Sequence, residues 1–162
     1  MASPVTADDW QRLLDHWAGA LELFAAQWTD SPEDCVQEAF VQLARQATWP
    51  DDVAAWLFRV VRNRAISLTR SAQRRRKHES NAARLVPIER DGMEMLCGAD
   101  ELDEMLQSLD IELREIVLAR VWGGLGFEQL ADVFAISPAT AFRRFESALK
   151  VLRERLGVTC RR

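Results

Sequence analysis

One segment of the chain, residues 53–78, carries basic side chains and no acidic ones. At helical spacing, one of its faces collects basic residues around a single asparagine: Arg59, Arg62, Asn63, Ile66, Arg70 and Arg74. Arginines can follow a phosphate backbone, and an amide can hydrogen-bond to a base edge. Trp49, in the preceding loop, offers a ring on which an unpaired base can stack. The pattern predicts a nucleic-acid-binding surface.

A second basic region follows a helix-turn-helix pattern. Residues 127–134 predict a short helix, "AIS" a turn, and the residues from Ser137 onward a longer helix. The apolar seam expected to face the bundle is Phe142, Phe145, Leu149, Leu152 and Leu156. The outward residues are then Ala139, Thr140, Arg143, Arg144, Ser147 and Lys150. Arginine at the start of such a helix can pair with guanine in the major groove.

A third feature is acidic rather than basic. Asp34, Gln37 and Glu38 share the exposed side of a predicted helix that begins after Ser31. Acids in a first helical turn often complement the helix dipole, and Asp34 fits that role. Glu38 lies beyond the first turn, so capping does not account for it. The patch suits docking onto a basic protein surface.

Composition narrows the function classes. The chain has 162 residues and a net charge of −4, with acids and bases separated into blocks that favour partners of opposite sign. The first ten residues lack the basic and apolar segments of a secretory signal, and no apolar run reaches membrane-spanning length, so we expect no signal peptide and a cytoplasmic protein. Three distant cysteines and two histidines predict neither a metal site nor disulfides. Without a catalytic constellation, we expect neither an enzyme nor a cofactor.

Helix signals define the organisation. Ser31 and Ser137 each precede a proline, which is typical of an N-cap followed by the first helical residue. Ser31 and Asp34 also resemble a capping box. The helix after Ser31 should end at the loop that contains Pro50, and the last helix should end at Gly157. At helical spacing, the residues expected to be buried in the helix after Ser31 are Val36, Ala39, Phe40 and Leu43. Proline and glycine interrupt the pattern between two groups of helices, with three predicted before and four after. The prediction is an all-α chain of two small bundles, 1–78 and 101–162, joined by a flexible linker, 79–100.

The motifs "SPEDCVQEAFVQLAR", "AWLFRVVRNRAI" and "LREIVLARVWGGLGFEQLADVFAISPATAFRRFESALKVLRERL" occur in an order that resembles the extracytoplasmic-function sigma factors of bacterial RNA polymerase. The resemblance covers nearly the whole chain apart from the linker and the ends. It implies sigma domain two, a linker and sigma domain four. It further implies three partners: core RNA polymerase, promoter DNA and an anti-sigma factor.

Position by position, the resemblance assigns roles. Asp34, Gln37 and Glu38 would dock on the clamp of the largest polymerase subunit, and domain four on the flap of the second-largest. Asn63 stands where the family uses an asparagine against an extruded −10 base. The −10 surface would contain Trp49, Arg59, Arg62, Asn63, Arg70 and Arg74. The −35 surface would contain Ala139, Thr140, Arg143, Arg144, Ser147 and Lys150.

Departures from the family pattern keep other functions open. Arg64 replaces a commonly apolar residue on the side expected to be buried, and "SPATAFRRF" replaces the usual start of the −35 helix. The prediction is a promoter-specificity subunit that reads duplex −35 DNA and melts −10 DNA. One alternative is a sigma-like adaptor or decoy that binds polymerase or an anti-sigma factor without initiating. Another is a dimeric helix-turn-helix repressor.

Overall fold

The structure, a computed structural model, describes residues 6–76 and 99–159, and these ranges are helical with no strand. The predicted linker falls almost entirely outside them. The α-helices are α1 (Ala7–Ala25), α2 (Pro32–Ala44), α3 (Val53–Arg76), α4 (Ala99–Gln107), α5 (Ile111–Val117), α6 (Phe127–Phe134) and α7 (Pro138–Thr159). The first three form one compact unit and the last four another. The all-α, two-bundle prediction is confirmed, while the numerical domain boundaries stay a prediction.

Local capping explains where two of the three helices of the first unit begin. At α1 the Thr6 hydroxyl accepts from the Asp9 amide, and the Asp9 carboxylate accepts from the Thr6 amide at 2.9 Å. The Thr6 hydroxyl also donates to the Asp9 carboxylate at 2.7 Å, and the hydrogen bonds that the carboxylate accepts from the Thr6 amide and hydroxyl lower the pKa of Asp9. At α3 the Asp52 carboxylate accepts from the Ala55 amide at 2.9 Å. Ser31 does occupy the N-cap of α2, but its side chain makes no capping bond, so the capping box predicted there is wrong.

The core of the first unit lies where the three helices pack against one another. The predicted stripe of α2 is buried as expected: Val36, Ala39, Phe40 and Leu43. Phe58 of α3 receives two aromatic rings edge-on, Phe24 at 5.1 Å and Trp17 at 6.1 Å between centroids. The Thr69 hydroxyl lies within hydrogen-bonding distance of two carbonyls, that of Trp28 just after α1 and that of Ala65 on its own helix, and the Trp28 contact joins α3 to the end of α1. These contacts hold the basic helix rigidly on the bundle.

The second unit is built around α7, which packs on α5 and α6. A π-helical turn, Leu118–Trp122, extends α5 before Gly124 adopts a positive φ of 65°. Arg114 joins α5 to the end of α4: its Nε donates to the Leu106 carbonyl at 2.8 Å and its Nη2 to that of Leu109 at 3.0 Å. Burial lowers the pKa of Arg114, and Asp103 opposes that shift.

Three expectations about side-chain orientation and helix ends are corrected. The predicted seam of α7 is only partly correct: Phe145, Leu149 and Leu152 are half-buried, but Phe142 and Leu156 are exposed, and the fully buried residues are Ala141 and Ala148. Small side chains allow neighbouring helices to approach closely, so alanine occupies the centre of the contact. Arg64 is exposed rather than directed inward. Helix α7 continues through Gly157 instead of ending there.

Across the described residues, no helix combines the length and apolarity needed to cross a bilayer.

Candidate nucleic-acid interface

The outer face of α3 gathers most of the residues predicted to bind −10 DNA. A surface depression follows this face, and its described lining residues are Arg62, Asn63, Ile66, Ser67, Arg70, Gln73 and Arg74. Asn63, Arg70 and Arg74 are exposed, whereas Arg59 and Arg62 are half-buried. From Arg59 to Arg74 the helix rises about 22 Å. That length is enough to reach several consecutive phosphates, so the face can follow a strand while presenting one amide to a base.

Trp49 lies in the loop before this helix and is half-buried. Its ring packs edge-on against Trp10 of α1, with centroids 5.1 Å apart and planes at 74°. The contact anchors the loop to α1 and fixes the orientation of the indole. Trp49 is therefore held against α1 with part of its side chain accessible to solvent. Trp56, near the start of α3, is also half-buried.

Two capped helices form the helix-turn-helix. Gly126 donates its amide proton to the Gln129 Oε1 at 2.7 Å at the start of α6. The turn contains Ala135 with φ 52°, a left-handed conformation that alanine rarely adopts. The predicted N-cap of α7 is confirmed, since the Ser137 hydroxyl accepts from the Thr140 amide at 3.1 Å. These caps fix the direction in which α7 leaves the turn.

Helix α7 presents most of its predicted DNA-binding residues outward. Ala139, Arg143, Ser147 and Lys150 are exposed, and Thr140 is half-buried. The Arg143 Nη2 donates to the Thr140 hydroxyl at 3.2 Å, and the Ser147 hydroxyl donates to the Arg143 carbonyl at 2.9 Å. The guanidinium of Arg143 is thus oriented by a neighbour on its own helix.

Arg144 differs from Arg143. Its Nη1 lies 3.1 Å from the Glu112 carboxylate on α5, and a third of its side-chain surface is exposed. An ion pair of this exposure contributes little to stability, but it directs Arg144 toward α5. The adjacent arginines therefore occupy different environments, which sequence spacing does not reveal. Phe142, expected inside, is instead 49% exposed on the outer side of α7.

The predicted docking patch lies on α2. Asp34 and Gln37 are exposed, and Glu38 is half-buried and accepts a hydrogen bond from the Gln42 Nε2 at 3.1 Å. Val41, not predicted as part of the patch, is 38% exposed. It continues the same face because it lies three residues after Glu38 and seven after Asp34. The patch therefore combines acidic, amide and apolar groups. The spacing of seven residues between Asp34 and Val41 is the feature of the sequence that could have assigned Val41 to the patch.

Other reactive groups of the described ranges do not form a site. Cys35 is fully buried, and burial raises the pKa of its thiol, with Arg64 opposing the shift. No cluster of three possible metal ligands occurs among the described residues.

Comparisons with protein families agree with this division. The family model for Sigma-70 region 2 matches residues 8–75, and that for Sigma-70 region 4 matches residues 99–152. The chain is 30% identical over 159 residues to the ECF RNA polymerase sigma factor SigL of Mycobacterium tuberculosis. That alignment covers 91% of this chain and 90% of SigL.

Two solved structures share the fold. The sigma factor RpoE, in complex with the anti-sigma factor NepR from Bartonella quintana, has a TM-score of 0.78 at 24% identity, covering 94% of this chain and 99% of RpoE. CnrH, in complex with the cytosolic domain of CnrY, has a TM-score of 0.63 at 21% identity. The match covers 94% of this chain and 90% of the CnrH chain. With region 2 and region 4 present in order and an ECF relative matched nearly end to end, the chain belongs to the extracytoplasmic-function subfamily of RNA polymerase sigma factors.

Proposed function

We propose that the chain binds core RNA polymerase in the cytoplasm and directs initiation at a specific set of promoters. The proposal rests on one observation: this chain, a member of the sigma-factor family, carries two separate surfaces suited to binding DNA. One is the basic face of α3 around Asn63, and the other is the outer side of α7 around Arg143. The proposed boundaries are domain two at 1–78, a linker at 79–100 and domain four at 101–162.

In this proposal α7 contacts duplex −35 DNA in the major groove. Arg143 is exposed and oriented by Thr140, so its guanidinium can form paired hydrogen bonds with guanine. Ala139, Thr140, Arg144, Ser147 and Lys150 complete the surface. The ion pair with Glu112 makes Arg144 better suited to a phosphate beside the groove than to a base edge.

The α3 face then holds the unpaired −10 strand. Arg59, Arg62, Arg70 and Arg74 bind phosphates along the helix, and Asn63 contacts an extruded base. Trp49 contributes the accessible part of its ring, held in place by Trp10. Strand opening follows because these groups favour the single-stranded state over the duplex.

Protein partners bind elsewhere on the chain. We assign Asp34, Gln37 and Glu38, with Val41 beside them, to the clamp of the largest polymerase subunit. The domain-four bundle is assigned to the flap of the second-largest subunit. An anti-sigma factor is a further partner, supported by the complexes of RpoE with NepR and of CnrH with CnrY. A net charge of −4 disfavours DNA binding by the free chain and fits delivery to DNA by the polymerase.

The test is transcript start mapping with core polymerase and genomic DNA, with and without the protein. New starts that share two spaced upstream elements are expected. Binding to core without new starts would favour the adaptor or decoy. If the protein neither binds core polymerase nor produces new starts, and instead binds palindromic duplex DNA as a dimer, the repressor is favoured.

One variant separates docking from folding. Glu38→Lys reverses the charge in the α2 patch and should abolish core binding while the helical content stays unchanged. Asp15→Lys makes the same charge reversal at an exposed position of α1 and serves as its control. Normal core affinity of the Glu38 variant in a pull-down or titration would refute the docking assignment.

A further inference from the structure

Phe142 is an apolar side chain in the middle of a polar helix surface. Among the phenylalanine and tryptophan side chains that the structure describes, it is the most exposed, with 49% of its surface accessible. Its exposed neighbours on α7 are Ala139 one turn before, Arg143 next to it and Glu146 one turn after. A partner that covers the exposed part of the ring would gain hydrophobic stabilisation.

The ring of Phe142 is also held in position. It packs edge-on against Phe127 at 5.3 Å, with ring planes at 75°. Phe127 is itself fixed, because Phe145 packs on it at 5.9 Å and the Arg120 guanidinium lies 4.8 Å from its centroid. A supported side chain loses little rotational freedom on binding. The cluster presents Phe142 as a preorganised apolar contact.

This inference rests on the proposed function, in which α7 lies in the major groove of −35 DNA. The chemical groups that the groove displays limit what Phe142 can contact. Base edges there display hydrogen-bond donors and acceptors, and the C5-methyl group of thymine is the characteristic apolar feature. We infer that Phe142 contacts a thymine methyl group in the −35 element, beside the base that Arg143 contacts. Phe142 is then a specificity-determining residue, and the element contains a thymine next to the position recognised by Arg143.

The test removes only that methyl group. Holoenzyme formed from the full chain and core polymerase selects −35 elements from a randomised duplex library, and each thymine of the selected element is then replaced by deoxyuridine. At one position the replacement should weaken competitive binding about four-fold, the value for one buried methyl group. Phe142→Ala should weaken binding to the thymine duplex and remove the difference between thymine and uracil.

Matched variants make the result specific. Phe142→Leu retains an apolar side chain and should keep part of the methyl dependence. Leu156→Ala shortens another exposed apolar side chain of the same helix and should leave the dependence intact. If Phe142→Ala fails to fold by circular dichroism, Phe142→Gln removes the ring and retains a side chain suited to helix.

Several outcomes would overturn the inference. An element selected without any methyl-sensitive thymine, or equal methyl sensitivity in wild type and Phe142→Ala, refutes the contact and leaves the proposed function standing. Loss of core binding in Phe142→Ala, without methyl sensitivity in the wild type, assigns the ring to a protein interface instead. Failure of the wild-type holoenzyme to select any −35 element overturns both proposals.

Discussion

Arg114 should hold α4 on the second unit, and its removal should release that helix locally. The last carbonyls of a helix lack intrahelical donors, and Arg114 supplies donors to Leu106 at 2.8 Å, Leu109 at 3.0 Å and Gln107 at 3.3 Å. Its positive charge also complements the C-terminal end of the α4 dipole. The first two bonds are partly buried, and the third is exposed and counts for little.

At the low end of the range for charged groups, about 1.5 kcal/mol each, the two partly buried hydrogen bonds give about 3 kcal/mol, and partial exposure to solvent reduces this to about 2–3 kcal/mol. Arg114→Ala should therefore speed amide exchange in α4 by about 30- to 140-fold. Hydrogen–deuterium exchange followed by mass spectrometry measures this in the full chain, because peptides from α4 and α7 are resolved separately. Arg114→Lys should lose part of the protection, since lysine lacks the planar fork. Unchanged exchange in α4, or the same change in the control Arg153→Ala on exposed α7 surface, would refute the reasoning.

Two further predictions concern stability. Ala135→Gly should stabilise the second unit by about 0.5–1 kcal/mol in urea unfolding, because glycine removes the left-handed strain at φ 52°. The control Ala139→Gly, within α7, should destabilise the unit. Destabilisation by Ala135→Gly, or stabilisation by Ala139→Gly, would contradict this account. Burial, aided by repulsion from Glu33, raises the pKa of Glu22. Ionisation of Glu22 therefore opposes folding at neutral pH, and this effect is absent below the pKa that Glu22 has in the unfolded chain. Glu22→Gln should then raise the melting temperature at pH 7 and lose that advantage as the pH falls toward 4; an advantage that persists at acidic pH would show another cause.

Helix positions followed from local chemistry. The N-cap at Ser137, the interruption at Pro50 and the apolar spacing of α2 depend on neighbours within a few residues, so the sequence predicted them. The same reasoning failed at Ser31, where the residue type was right and the side-chain bond is absent. It succeeded only in part on α7, where Phe142 and Leu156 of the predicted seam are exposed and the fully buried residues are alanines. Two stripes of that helix are apolar, and only the positions of α5 and α6 select between them.

The site divides in the same way. The sequence by itself determined the basic face around Asn63, the acidic patch around Glu38 and the helix-turn-helix, because each needs only the period of one helix. Only the tertiary structure decided that Arg144 pairs with Glu112, that Trp49 packs on Trp10 and that Phe142 is exposed. Such contacts join residues far apart in the chain, and their free energies depend on distance and burial, which are set when the helices pack together.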